Sequence, residues 1–479
     1  MVNKVIFDIE KLNMLCLFPI AFLILFGVFL LIMGMIKKDL TSKFYLSLTS
    51  LALVFDLGFI LTFSGDLRGF FNLILLDGVA ILGATIIILT SLFFLLFSFA
   101  RNEFEEYQKS EFYTLFLFMI AGFNTMIMSD NLILIILGLE LSSLCLYTLI
   151  ALKNTTKSVE AAIKYFVMGA LGSAFFVFGA GLLYLSLGSV ELYEMNYSLK
   201  NLESNWLLII SSIFIITGLG FKVSLVPFHT WLSDIYNASN EILAGFISIV
   251  PKLAAFIVVL RVFDLLLDIE SVKSILFILA IITMSFANIV ALSSKNIKKM
   301  LTFSSISHAG FIIGAIFINS TDANVGLFLY WIMFSFANLG AFGILWSIKN
   351  GHYDYESFKG LAKSNLGISL LMSLFMLSLA GIPPFSLFWG KFYILNAALS
   401  KGYIILAIVM ALNSAIALFY YLKLVVNMFL YDEKSKISFE ENGFIKFSLI
   451  LCAAFCFLAP FVVKFILAFL YNATVFSGF

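Results

Sequence analysis

Several ionisable side chains lie inside long apolar runs of this chain, among them Glu140, Lys164, Lys222, Lys252, His308 and Lys391. A charge in hydrocarbon is costly, faces a protected interior, and usually marks the path of an ion or proton. Burial favours the neutral amine, whereas a nearby carboxylate favours the charged one. An amine held between those influences can take and give a proton. The most informative setting is Gly218 to Trp231, GLGFKVSLVPFHTW. Pro227 has no amide hydrogen, and its ring clashes with the carbonyl four residues back, that of Val223. A helix therefore breaks next to Lys222, and His229 follows seven residues after it on roughly the same face. Ala380 to Lys391, AGIPPFSLFWGK, repeats the arrangement with Pro383, Pro384 and Lys391. Paired broken helices in two halves of a membrane protein point to an ion-handling site.

The other candidates are open to two readings each. Glu140, in ILGLELSSL, is either a protonated, hydrogen-bonded structural group or a proton site and counter-charge for a lysine. Lys164 follows Glu160 by four residues, the favourable order for a helical pair; it either snorkels to the surface or takes part in proton transfer. Lys252 directly follows Pro251 near the middle of an apolar run and reaches an interface with difficulty. His229 and His308 are either proton relays or packing residues. Asp56 and Lys423 are further deep candidates, and Asp77 reads as interfacial.

The elements that position these residues follow from composition. Of 479 residues, 62% are hydrophobic and 12% charged, and apolar runs recur along almost the whole length, which predicts an all-α polytopic membrane protein. Fourteen spans are expected, roughly 12–35, 44–64, 72–100, 112–129, 131–152, 160–187, 206–233, 240–263, 272–292, 299–318, 323–348, 366–399, 402–430 and 444–471. No soluble domain interrupts them, so 1–479 reads as one membrane domain. It divides into three N-terminal helices (12–100), a first unit (112–263), a second unit (272–430) and a C-terminal helix (444–471). Pro227 and Pro384 lie five spans apart, and an odd offset reverses orientation, so the two units read as inverted repeats. A net charge of +1 gives no nucleic-acid footprint. No Walker loop or GxGxxG stretch suggests nucleotide binding. Cys16, Cys145, Cys452 and Cys456 lie in apolar runs, outside any metal-type spacing, and read as packing residues. Met1 to Lys11 is mixed in charge and does not read as a cleavable signal.

At LGLELSSL, EAAIKYF, GLGFKVSLVPFHTWLSDIY, NIKKMLTFSSISHAGF and LSLAGIPPFSLFWGKFYIL the chain resembles the subunit N family of bacterial NADH-quinone oxidoreductase, the antiporter-like membrane subunits of respiratory complex I. The similarity runs over essentially the full length. It implies fourteen helices, two inverted five-helix repeats, and discontinuous seventh and twelfth helices. It implies that Glu140 and Lys164 form a charged pair, with Lys222 the central lysine, His229 its neighbour, Lys252 the connecting lysine and Lys391 the terminal lysine. A lysine at 391 favours subunit N over a sister subunit that usually has glutamate there. The chain departs from the family at Asn237 to Ile242, NASNEI, where a Gly-Ala-Pro-x-Pro run is common.

The resemblance implies a proton-translocating subunit in the bacterial inner membrane. Its partners would be the other membrane subunits and the lipid bilayer. Quinone would be reduced elsewhere in the complex, and no cofactor would sit on this chain. Two alternatives are a subunit of a multi-subunit sodium/proton antiporter and a scaffold with no ion path. Fifteen lysines and arginines fall in loops after odd-numbered spans, against six in the other loops and termini. The odd loops are therefore expected in the cytoplasm and both termini on the outer side. A reporter active only in the cytoplasm, fused after Phe479, should be silent; activity there would invert the topology.

Overall fold

The computed structural model describes residues 13–37, 39–63, 65–99, 109–199, 206–349, 351, 353–432, 435, 437–440 and 442–476. The chain ends, and with them the expected placement of both termini, lie outside the described residues, as do Lys4, Lys11, Lys38, Arg101, Lys200, His352, Lys434 and Lys436. Nearly everything described is helix. In chain order the elements are α1 (Phe18–Ile36), α2 (Ser42–Ile60), a hairpin of β1 (Leu67–Gly69) and β2 (Ile74–Leu76), α3 (Gly78–Ser98), α4 (Ser110–Ile127), α5 (Leu132–Ala151) and α6 (Thr156–Leu187). They continue with α7 (Leu192–Leu199), α8 (Trp206–Val223), α9 (Thr230–Ala238), α10 (Glu241–Ile247), α11 (Val250–Leu266), α12 (Glu270–Ser293), α13 (Ile297–Ile318) and α14 (Thr321–Trp346). The last five are α15 (Leu361–Ser364), α16 (Leu366–Ala380), α17 (Ser386–Ser400), α18 (Ile404–Leu430) and α19 (Gly443–Phe476).

Thirteen helical stretches among the described residues are long and apolar enough to cross a membrane. Expected span twelve, 366–399, is present as two pieces, α16 and α17, separated by Gly381 to Phe385. Expected span seven is likewise split: α8 stops at Val223 and α9 starts at Thr230. Both breaks fall where the prolines placed them. A third discontinuity was not expected. Span eight reads as one run in the sequence, yet α10 ends before Ser248 and α11 starts at Val250 with Pro251 in its first turn. Proline is well suited to a first turn because its missing amide is unsatisfied there anyway.

Helices α11, α13 and α14 form the interior, with nearly every side chain buried, whereas α1, α6, α12, α18 and α19 carry broad exposed apolar faces. Close approach is set by small residues: a Cβ on Gly138 of α5 would lie 2.7 Å from the Gly122 carbonyl oxygen of α4. One buried ion pair locks the interior. Asp77 caps α3 by accepting from the Ala80 amide at 2.8 Å. Its carboxylate also receives both Arg261 Nη1 and Nη2, at 2.9 and 2.7 Å. Arg261 donates again to the Ile127 carbonyl at 3.0 Å, tying α3, α4 and α11 together. Asp77, expected at the interface from its place at the start of an apolar run, is thus buried within the protein at that helix end. Arg261 carries no sequence signal beyond being an arginine in an apolar run.

Removing one partner of such a pair strands the other charge and costs about 3–5 kcal/mol. Arg261→Gln should therefore strongly reduce thermal stability and recovered protein. The neutral pair Asp77→Asn with Arg261→Met should recover most of the loss. Equal loss in both would show that packing, and not the stranded charge, dominates.

Candidate functional site

Span five supplies the first face. Glu140, Ser143 and Tyr147 recur at i, i+3 and i+7 on α5, so they line one stripe of it. Lys222 sits in the last turn of α8 and reaches this stripe, with Nζ donating to Ser143 Oγ at 2.8 Å and Tyr147 Oη at 3.5 Å. Glu140 lies within electrostatic reach of Lys222 without a direct ion pair, and its Oε1 is buried without a hydrogen bond. The helix end itself is closed by neighbours. Trp231 Nε1 donates to the Phe221 carbonyl at 3.2 Å, and the Val226 amide donates to Thr283 Oγ1 at 3.2 Å.

Lys252 occupies the first turn of α11, and its Nζ donates to both Ser305 Oγ and the Ser305 carbonyl, each at 3.1 Å. A cavity of about 20 Å³ touches Lys222, Ser142, Ser143 and Pro251. That is room for one water with several polar partners between Lys222 and the start of α11. The Tyr236 hydroxyl lies beside Ser248 and Ser305.

One helical turn beyond Ser305, His308 bonds Tyr330 Oη through Nδ1 at 2.5 Å and Tyr421 Oη through Nε2 at 3.2 Å. It is within electrostatic reach of Lys252 and Lys391. Lys391 crosses the second break: its Nζ donates to the Ala380 carbonyl, the last of α16, at 2.8 Å, and lies 5.3 Å from the centre of the Phe311 ring. Gly381 makes this possible. Its φ is +79°, and a Cβ there would lie 2.7 Å from Lys391 Cδ.

The structure thus brings Glu140, Lys222, Lys252, His308 and Lys391 into one interior series at the breaks marked by Pro227, Pro383 and Pro384. It sets two expected members apart. Lys164 pairs with Glu160 at 2.9 Å and Asp234 at 3.2 Å, and its side chain is half exposed. It stands two turns into α6, held by Glu160 and Asp234 and not by Glu140. His229 packs its ring on Phe286 and Phe303, and among the described residues no hydrogen bond or ion pair joins it to Lys222. The break turns the chain, so the seven-residue spacing does not keep the two on one face. Lys423 is exposed on the surface of α18, with its amine over the Tyr355 ring at 4.7 Å. The Asp56 carboxylate is fully buried and makes no hydrogen bond among the described residues. Ser143 and Tyr147 were within reach of sequence reasoning through their spacing from Glu140. Tyr330 and Tyr421 come from distant spans and had no local signal.

Broken apolar helices with buried lysines at the breaks define a polytopic membrane protein of the antiporter-like class. A family model described as NADH:quinone oxidoreductase/Mrp antiporter, TM, matches residues 129–417. The subunit N protein of NADH-quinone oxidoreductase from Campylobacter hominis is 48% identical, over 96% of this chain and 98% of that one. A chain of respiratory complex I from Thermus thermophilus superposes with a TM-score of 0.82 at 27% identity, covering 95% of this chain and all of that one. The chain belongs to the NADH-quinone oxidoreductase subunit N family. A chain of the Mrp complex from Dietzia superposes with a TM-score of 0.83 at 18% identity, over 98% of this chain and 97% of that one, which shows a shared fold.

The contact between Gly381 and Lys391 predicts a coupled pair of substitutions. Gly381→Ala adds roughly 1–2 kcal/mol of left-handed backbone strain and about 1–3 kcal/mol of overlap with the lysine stem. In a Lys391→Ala background only the backbone strain should remain, and thermal unfolding of the four variants measures the difference. An equal cost of Gly381→Ala in both backgrounds would refute the contact.

Proposed function

We propose that this chain carries protons across the bacterial inner membrane as the antiporter-like subunit of an NADH-quinone oxidoreductase, through Glu140, Lys222, Lys252, His308 and Lys391. Quinone reduction elsewhere in the complex supplies the driving force, and the other membrane subunits are its partners. The chain itself contributes titrating side chains and carries no redox cofactor. The two five-span units, 112–263 and 272–430, act as inverted halves, each with its own broken span. Both termini face the outer side. Lys164 and His229 stand beside the route, Lys164 at its edge and His229 against an aromatic wall. Much greater closeness to subunit N than to the Mrp chain favours this reading over a sodium/proton antiporter.

One observation carries the proposal. Lys222, Lys252 and Lys391 are all buried, yet their hydrogen bonds go to hydroxyl and carbonyl oxygens, not to carboxylates. A lysine with neutral acceptors can lose its proton without stranding a buried anion. Each charge acts on the next through a medium of low dielectric, so the groups titrate as a coupled set. Proton arrival at one amine then favours release at its neighbour.

Lys222→Met keeps the apolar stem and deletes the titrating group. Lys222→Arg keeps the charge but holds its proton. In a proton-exchanging role both should assemble and pump at less than about a tenth of the parental rate, since a general acid–base group is worth roughly a hundredfold or more. Proton uptake into inverted vesicles, normalised to quinone reduction and assembled complex, measures this. Parental pumping by the arginine variant would reduce Lys222 to a fixed counter-charge for Glu140.

A further inference from the structure

A second buried charge pair lies on the lysine-rich face, and the series described above does not use it. Lys298, in the first turn of α13, donates to Glu241 Oε1 at 2.8 Å and to the Ser239 carbonyl at 2.8 Å. Both side chains are about nine-tenths buried or more, with exposures of 5% for Lys298 and 10% for Glu241. The Tyr353 ring lies 5.8 Å from Lys298 Nζ, and its hydroxyl serves the Glu241 carboxylate. In the sequence Lys298 falls just before expected span ten and Glu241 lies in the NASNEI departure; the structure places both inside.

The pair heads a polar stripe. Lys298, Thr302 and Ser305 recur at i, i+4 and i+7 on α13, facing one way. Ser305 is the residue that holds Lys252. A parallel line runs on α9 and its end. The Ser239 carbonyl receives Lys298, and three residues earlier the buried Tyr236 hydroxyl faces Ser305 and Ser248 without a hydrogen bond to either. Two polar lines therefore run from Glu241 and Lys298 to Lys252 through an otherwise apolar interior. The other acids nearby on this face are exposed: Asp234 is taken up by Lys164, and Asp354 faces Asn296. Among the described residues, Glu241 is the buried carboxylate that pairs with Lys298 at the head of the stripe leading to Lys252.

We propose that Glu241 is the proton-inlet group for Lys252, with Lys298 as its fixed counter-ion. The inference rests on the proton-carrying function above. A proton from water on the lysine-rich face forms an O–H bond at Glu241. The pair loosens, while Lys298 keeps its own proton and its bond to the Ser239 carbonyl. That O–H bond then breaks as an N–H bond forms on neutral Lys252. Water and the Tyr236 and Ser305 hydroxyls carry the proton between them and end unchanged. Glu241 returns to a carboxylate and the pair re-forms.

The test uses the assembled complex in inverted vesicles, reading protons taken up per quinone reduced. Glu241→Gln alone leaves Lys298 with an amide partner. Glu241→Gln with Lys298→Met makes a neutral pair, a replacement that buried pairs commonly tolerate. The expected result is assembly with a lowered proton-to-quinone ratio in both variants, and recovery of the ratio in Glu241→Asp. The parental ratio in either neutral variant overturns the proposal. Failure of both to assemble also overturns it, in favour of a purely structural pair. Lys252→Met is run alongside: if it too pumps at the parental ratio, the proton route itself fails, and not only its inlet.

Discussion

A backbone carbonyl stranded in hydrocarbon costs several kcal/mol, and this chain ends two helices inside its apolar interior. At the second break the Ala380 carbonyl is met by the Lys391 amine, which reaches back from α17. Lysine suits this place for a reason beyond charge. Its ammonium has three N–H donors, and after losing one proton the amine still has two. The carbonyl therefore keeps its donor through a full cycle of proton loss and gain. An arginine would cap the same carbonyl but hold its proton. The group that makes the break tolerable is thus also one that can titrate without undoing it. At the first break Trp231 donates to the Phe221 carbonyl and Thr283 accepts from the Val226 amide, which leaves Lys222 to hydroxyls alone.

Helix ends also set the local field. Lys222 lies at the C-terminal end of α8, and Lys391 touches that of α16, where the partial charge is negative and a cation is welcome. Lys252 stands at the opposite kind of end, the first turn of α11, where the partial charge is positive. The three lysines are therefore not equivalent: two sit at C-terminal helix ends and the third in the first turn of a helix. The far end of the same helix holds Arg261, fixed to Asp77 by two charge-assisted bonds. One helix thus combines a locked end, which keeps it in position, with an end at which charge can change.

The span pattern was readable because apolar runs of this length have one solution in a membrane, a helix. Both major breaks were readable because proline cannot continue a helix, whatever its surroundings. The break before α11 was missed even though Pro251 stood in view. A proline in a first turn is silent unless one knows that the helix begins there. The lysines announced themselves by their cost in hydrocarbon. Their partners did not, since Tyr330, Tyr421 and Ser305 are ordinary residues until the fold puts them beside a lysine or histidine. The same holds for Asp77 and Glu241, each at the edge of an apolar run. Sequence position at an edge reads as exposure, and only a partner from another span, Arg261 or Lys298, turns it into burial.

The placement of His308 shows why the series runs across the fold and not along one helix. It lies on α13, bonded to a tyrosine from α14 and one from α18, and feels the charge of both Lys252 and Lys391. Lys252 on α11 rests on Ser305 of α13. The contact between α11 and α13 is therefore where Lys252 meets the polar groups around His308. Nonpolar packing by α11, α13 and α14 keeps the local dielectric low around them, so a proton added at one group is felt at the next with little screening. Under the proton-carrying function proposed above, coupling would then need no moving wire of contacts: a change of charge at one group would alter the balance of protons at its neighbour.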